Sequence, residues 1–312
     1  MIAVEQLGKR YGRQVAVADV SFNVPKGEIF GFVGPNGAGK TTTIRILATL
    51  TPADRGRATV GGIPVGEDPA AVRALVGYMP DFFGVYDRLT SEEYLEFYAA
   101  CHGVPRSRRR RVASELLELV DLGDRREAQV DTLSRGMKQR LCLARALVHD
   151  PSVLLLDEPA SGLDPRARVE MRELIQELRR MGKTILVSSH ILPELEELCT
   201  WVGFIDRGRM VAVGPMADVR DRVAAGRRLR VDLVEPDDDS LLHVAELVKN
   251  QEGVVDAAVI DDHVELTVTD AVEDHQLLAL LVHKGLKVRS FGVVEGDLSE
   301  AFMRLTGDHN QA

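Results

Sequence analysis

Cysteine is nearly absent from this chain: Cys101, Cys142 and Cys199 are the three in 312 residues. They are too few and too scattered for a disulfide framework or a cysteine-based zinc site, which points to a reducing compartment. Tryptophan occurs once. No uncharged apolar run approaches the ~18 residues needed to cross a bilayer, so any service to a membrane requires a separate membrane partner. The opening MIAVEQLGKR lacks the apolar core of a secretory signal peptide, and a cytoplasmic location is expected. A basic excess is missing as well: residues 1–215 carry 29 Lys and Arg against 28 Asp and Glu, and residues 216–312 carry 10 against 20. A near-neutral front and an acidic back argue against a nucleic-acid partner, because phosphate backbones are bound chiefly through basic surface.

What remains, 45% apolar and 28% charged residues, is the profile of a soluble globular protein with room for two domains. Short apolar runs (IFGFV at 29–33, VLLLD at 153–157, TILVS at 184–188) alternate with longer helical patterns, the signature of an α/β fold with a largely parallel sheet. The hairpin-like FIDRGRMVAVGP, with Arg207-Gly208 as its turn, closes that unit. Domains at 1–220 and 221–312 follow. Strand and helix patterns in the second run β-α-β-β-α-β, a small α+β ferredoxin-like order, with LSEAFMRL (298–305) as a closing helix. The acidic pair Asp237 and Asp239 reads as loop solubiliser rather than ligand.

GPNGAGKT at 34–41 satisfies G-x-x-x-x-G-K-[ST], follows an apolar run and leads into a helical one, the context of a P-loop. Gly34, Gly37 and Gly39 would let backbone N–H groups curl around phosphates, with Pro35, Asn36, Ala38 and Thr42 completing the nucleotide-binding loop. Lys40 would bridge the terminal phosphates, and the Thr41 hydroxyl would ligate magnesium. VLLLDEP supplies the complement: Asp157 ends a buried strand where it can hold Mg2+, and Glu158 is a candidate base for an attacking water. Taken alone, that strand-to-turn boundary is ordinary.

Three further stretches narrow the choice among P-loop proteins. LSRGMKQR (133–140) closely resembles the signature sequence of ABC-type ATPases, SGLDP (161–165) their D-loop, and SSH (188–190) their switch histidine. The resemblance spans residues 34–190 and implies an ABC ATPase domain with a parallel core, an antiparallel β subdomain and a helical subdomain. It also implies ATP with Mg2+, and head-to-tail pairing as a homodimer or with a close relative. In such a pair Ser134 and Gly136 of one chain meet the γ-phosphate held by the other. Tyr11 matches the aromatic stacked on adenine, though it could be a packed β-edge aromatic. His190 matches the catalytic contact to the γ-phosphate, with a strand-end histidine as the plain alternative, and Asp164 matches the D-loop carboxylate. Arg135 and Met137 stand where the family commonly has glycine and glutamine. Asp81 stands where it usually has a glutamine near the metal.

The aromatic-rich stretch after Asp81 (FFGVYDRLTSEEYLEFY) is either helix core or the groove, near 81–98, that receives a coupling helix of an integral membrane permease. The arginine run at 106 and 108–111 is a solvated helix face or a contact to the cytoplasmic leaflet. The tail is similar to that of exporter ATP-binding subunits with a separate permease, drug-resistance exporters among them, which implies a peripheral place at the inner membrane face. The alternative is a soluble ABC ATPase acting in translation, DNA repair or cofactor assembly. A small-molecule kinase would need neither signature nor SSH.

Overall fold

The computed structural model describes residues 1–81, 84, 88–223, 227–269 and 272–294. Part of the 81–98 segment and the 298–305 helix expected from the sequence lie outside the described residues. Contacts divide the chain into one compact unit at Met1–Val219 and a second beginning at Arg220.

The first unit is built on strands β1 (Ile2–Tyr11), β2 (Gln14–Val24), β3 (Ile29–Val33), β4 (Arg55–Val60), β5 (Ile63–Pro64), β6 (Val76–Met79), β7 (Val153–Asp157), β8 (Thr184–Ser189), β9 (Trp201–Asp206) and β10 (Arg209–Pro215). Helices α1 (Lys40–Leu47), α2 (Pro69–Leu75), α3 (Ser91–Cys101), α4 (Arg106–Leu119), α5 (Arg135–Ala146), α6 (Pro165–Arg180), α7 (Leu192–Leu198) and α8 (Met216–Val223) run between and after them. The strand order is β5-β4-β1-β2-β10-β9-β3-β8-β7-β6. Every residue of β3, β7 and β8 is buried. Strands this apolar persist only with both faces covered, and they pair in parallel. The other end of the sheet is antiparallel, β1 pairing with both β2 and β4, so the parallel share is smaller than the apolar runs alone suggest. Helices α3, α4 and α5 close a separate core around Tyr94, Leu95, Leu117 and Leu141.

Helix starts follow local chemistry. Thr90 and Glu93 form a capping box on α3. Asp164 caps α6 through a 3.0 Å bond from the Ala167 N–H, with Pro165 at the first helical position.

The second unit has β11 (Arg227–Leu233), α9 (Asp238–Lys249), β12 (Val254–Ile260), β13 (His263–Val268), α10 (Asp274–His283) and β14 (Val288–Val294). Its antiparallel sheet, in the order β12-β13-β11-β14, is that of a split βαβ fold. Leu229, Val231, Leu241, Val264 and Leu266 fill its core. Asp237 corrects its reading as a solubiliser: its carboxylate accepts from the Ser240 N–H at 2.8 Å and caps α9.

One contact joins the helical layer to the sheet through titratable rings. His102, at the end of α3, stacks on His149 at 4.0 Å with planes 4° apart, and His149 Nε2 lies 3.1 Å from the Val76 carbonyl oxygen. Burial lowers both imidazoles below their ordinary pKa, with Arg145 adding to the effect on His102 and His102 to that on His149. The neutral rings are therefore the folded form. Stability from them is present above the unfolded value of about 6.5 and is lost as pH falls toward the lower folded values. Thermal melts should be flat above about pH 6.5 and decline below it. His102→Phe, which keeps the stacked ring without a second proton site, should reduce that decline; an unchanged decline contradicts the coupling.

Candidate functional site

The loop from Gly34 to Gly39 joins β3 to α1, and each glycine in it has its own steric reason. A Cβ on Gly34 would collide with the Ile205 carbonyl oxygen. Gly37 has φ +82°, a left-handed value that costs other residues energy. Gly39 combines φ +111° with the Ala16 carbonyl oxygen 2.6 Å from where a Cβ would lie. It occupies the cap position of α1 without any side-chain cap, so the first N–H groups of that helix remain available to an anion. Lys40 is buried, its Nζ donating to the Gly34 carbonyl at 2.6 Å and the Pro35 carbonyl at 3.3 Å.

Asp157 and Glu158 sit at the end of β7, beside the end of β8. Asp157 Oδ1 accepts from Thr41 Oγ1 at 3.1 Å and from Ser188 Oγ at 2.7 Å. Its Oδ2 is buried without a hydrogen-bond partner. Burial raises the Asp157 pKa above the usual carboxylate range, opposed by the Ser188 and Thr41 bonds. A buried carboxylate oxygen without a hydrogen-bond partner has the chemistry to face a cation. Among the described residues, no cluster of three or more His, Cys, Asp and Glu could chelate an ion alone. A magnesium ion fits here in the manner of nucleotide sites, where one or two protein oxygens are completed by phosphate and water.

Glu158 adopts φ +52°, unusual for a side chain of its size. Its N–H is held by both the Ser188 carbonyl (3.2 Å) and hydroxyl (3.0 Å). That backbone turn aims the carboxylate at two partners: Oε1 lies 3.5 Å from Lys40 Nζ and Oε2 lies 2.9 Å from His190 Nδ1. Acid, lysine and histidine from three segments thus converge on one point.

The cleft over this point is lined by Pro35, Asn36, Gly37, Gly39, Lys40, Thr41 and Thr42 from the loop and helix. Asp81, Glu158 and His190 line it as well, as does the exposed Tyr11. Ala38 is buried behind the loop. Gln14 and Ala16 also line it, although the sequence offers no signal for them, as does Ser161, the first residue of the SGLDP run. Ser188, which holds both Asp157 and Glu158, sits within the SSH run, yet nothing in its residue type distinguishes it from an ordinary strand-end serine.

Ser134, Gly136 and Asp164 are not among the residues lining this cleft. Ser134 caps α5, its Oγ accepting from the Met137 N–H at 3.3 Å. Gly136 packs against α6, where a Cβ would come 3.2 Å from Ala167 Cβ. The second anion-seeking helix end is therefore built, but away from this chain's own cleft.

Comparison with known proteins converges on one family. The model of the ABC transporter family matches residues 17–161, and that of the C-terminal domain of DrrA1-3-like ATP-binding proteins matches residues 214–306. The linearmycin resistance ATP-binding protein LnrL of Bacillus subtilis (strain 168) is 33% identical over 310 residues, 98% of each chain. The daunorubicin resistance ATP-binding protein DrrA2 of Streptomyces coeruleorubidus is 35% identical over 312 residues, 99% of this chain and 96% of the relative. The dimeric structure of MJ0796, a bacterial ABC transporter cassette, shares the fold: TM-score 0.64 at 24% identity, over 69% of this chain and 99% of that one. These relatives do not favour the soluble alternative. With the P-loop, Glu158 and His190 assembled in one cleft and Asp157 bonded to Thr41 beside it, the chain belongs to the ABC transporter family as an ATP-hydrolysing, ATP-binding subunit of exporter type with a DrrA-like C-terminal domain.

Proposed function

We propose that this chain pairs with a second copy or a close relative, closes on two ATP, and drives export of a small antibiotic-like molecule through a separate membrane permease. The chain then works at the inner membrane face, although among the described residues no helix is long and apolar enough to cross a bilayer. Export of a toxic small molecule is supported by the resistance functions in the names of the full-length relatives. Docking of the permease near residues 81–98, dimerisation through residues 221–312 and stacking of adenine on Tyr11 belong to the same reading.

The observation that carries the chemistry is the convergence of Lys40, His190 and Glu158. Lys40 Nζ faces the Glu158 carboxylate. Phosphate oxygens, more strongly anionic, draw Lys40 toward themselves and leave the Glu158 carboxylate free as a base. Glu158 takes a proton from water as the water oxygen attacks the γ-phosphorus and the bond to the β-phosphate oxygen breaks, releasing ADP and phosphate. His190 holds the Glu158 carboxylate in line through its Nδ1 contact. Lys40, the α1 N–H groups and the partner's signature helix meet the charge on the phosphate oxygens. Magnesium, when bound, neutralises phosphate charge; Thr41 and Asp157 would hold it, with Asp81 at the edge of the same cleft.

Glu158→Gln keeps the hydrogen-bonding shape but not the base. It should bind ATP within about threefold of wild type while turnover falls at least ~100-fold. The ATP-loaded variant should accumulate as a dimer in sedimentation runs; wild-type turnover removes Glu158 from the base role. Ser188→Ala tests the metal site separately. Loss of one hydroxyl donor should raise the magnesium needed for half-maximal ATP binding by about tenfold, the range for a residue that orients a metal ligand. Binding of ATP without metal should be unchanged, and equal losses with and without magnesium would contradict this placement of the ion.

A further inference from the structure

Arg135 opens α5 at a position where the ABC signature commonly has glycine. A cation at a helix N-terminus opposes the helix dipole, and among the described residues no carboxylate forms an ion pair with it. Its charge therefore does nothing for α5 itself. What the side chain does is reach across to the segment that follows Glu158. Arg135 Nη2 donates to the Ser161 carbonyl oxygen at 2.9 Å. The guanidinium fills the space over Gly162, where any Cβ would collide with it, and Gly162 has φ +66°.

Ser161 is no neutral anchor. It lines the nucleotide cleft, and its N–H donates to the Glu158 carbonyl oxygen at 3.0 Å. A short series of contacts thus leads from Glu158 through Ser161 to Arg135 and into the start of α5. Glycine at 135 has no atoms with which to make that link.

We propose that Arg135 is a positioning residue that ties α5 to the D-loop of its own chain, so that occupation of one nucleotide cleft is felt by the helix end serving the other. This rests on the two-chain reading given under Proposed function. In that arrangement the Ser161 end of the link belongs to the chain's own ATP and the Ser134 end to the partner's. The tether couples the two clefts within each chain. A rigid, planar donor suits this better than a lysine, whose ammonium is a mobile point charge.

The test uses the full chain in its natural pair, as wild type, Arg135→Gly and Arg135→Lys. Two readouts are taken: the Hill coefficient of ATP hydrolysis against ATP concentration, and amide exchange at Ser161 and Leu163 without nucleotide. Arg135→Gly should lower the Hill coefficient from above about 1.5 to about 1 and speed exchange at those amides about tenfold. Arg135→Lys should fall between. A glycine variant with wild-type exchange and wild-type cooperativity overturns the tether. So does one that keeps its cooperativity while KM rises, which assigns the guanidinium to the partner's phosphate instead. Glu158→Gln is run alongside: if it stays monomeric with ATP, the two-chain reading fails, whereas a normal Glu158→Gln dimer with no effect of Arg135→Gly removes this inference alone.

Discussion

The carboxylate of Asp157 is where the architecture and the chemistry meet. It is buried at the end of β7, bonded by one hydroxyl from α1 and one from β8. An ionised group in such a place is tolerated only if hydrogen bonds or a cation replace the water it has lost. Two bonds to one oxygen do part of that work, and the other oxygen has no hydrogen-bond partner among the described residues. The fully buried strands β3, β7 and β8 are what hold the donors and acceptor in register, with Asp157 directly opposite Ser188 in the parallel ladder. The apolar core and the reactive site are therefore one construction, since strand order alone decides which side chains share that end of the sheet.

Ser188 extends the constraint to Glu158. By taking the Glu158 N–H on both its carbonyl and hydroxyl oxygens, it stabilises a left-handed backbone turn that points adjacent acids in different directions. Asp157 faces α1, while Glu158 faces Lys40 and His190. Two neighbouring carboxylates thereby acquire separate environments, one dry and one at the edge of an open cleft. Under the proposed function, that separation lets one strand end serve both a cation and a water molecule.

Much of this was legible in the residues. The P-loop announced itself because its glycines answer to steric demands that few other residues meet, and the flanking apolar runs could only be buried strands. The alternating pattern of the second unit likewise foretold its sheet. Three kinds of feature were not legible. The family resemblance implied an antiparallel subdomain but not which strands form it: β1 pairs with β2 across a two-residue turn and with β4, more than forty residues away, on its other side. Ser188 and Ser161 are residues of common type whose importance comes from the strand and turn that carry them. Arg135 showed as a departure from the family pattern, but its contact with the Ser161 carbonyl joins residues 26 apart in sequence, across the whole of α5 and β7. Asp237 was misread because a cap looks like any other acidic loop residue until the following helix start is placed.

The central claim is that a complete nucleotide site needs Lys40 from one chain and Ser134 from another. Complementation between two inactive chains tests it most directly. Lys40→Ala and Ser134→Glu should each abolish turnover in a symmetric pair, and mixing the two chains should restore activity, since one of the two sites in the mixed pair is then intact. A chain carrying both changes should restore nothing when mixed with either single variant. A mixture of the two single variants that is no more active than either alone would contradict the account.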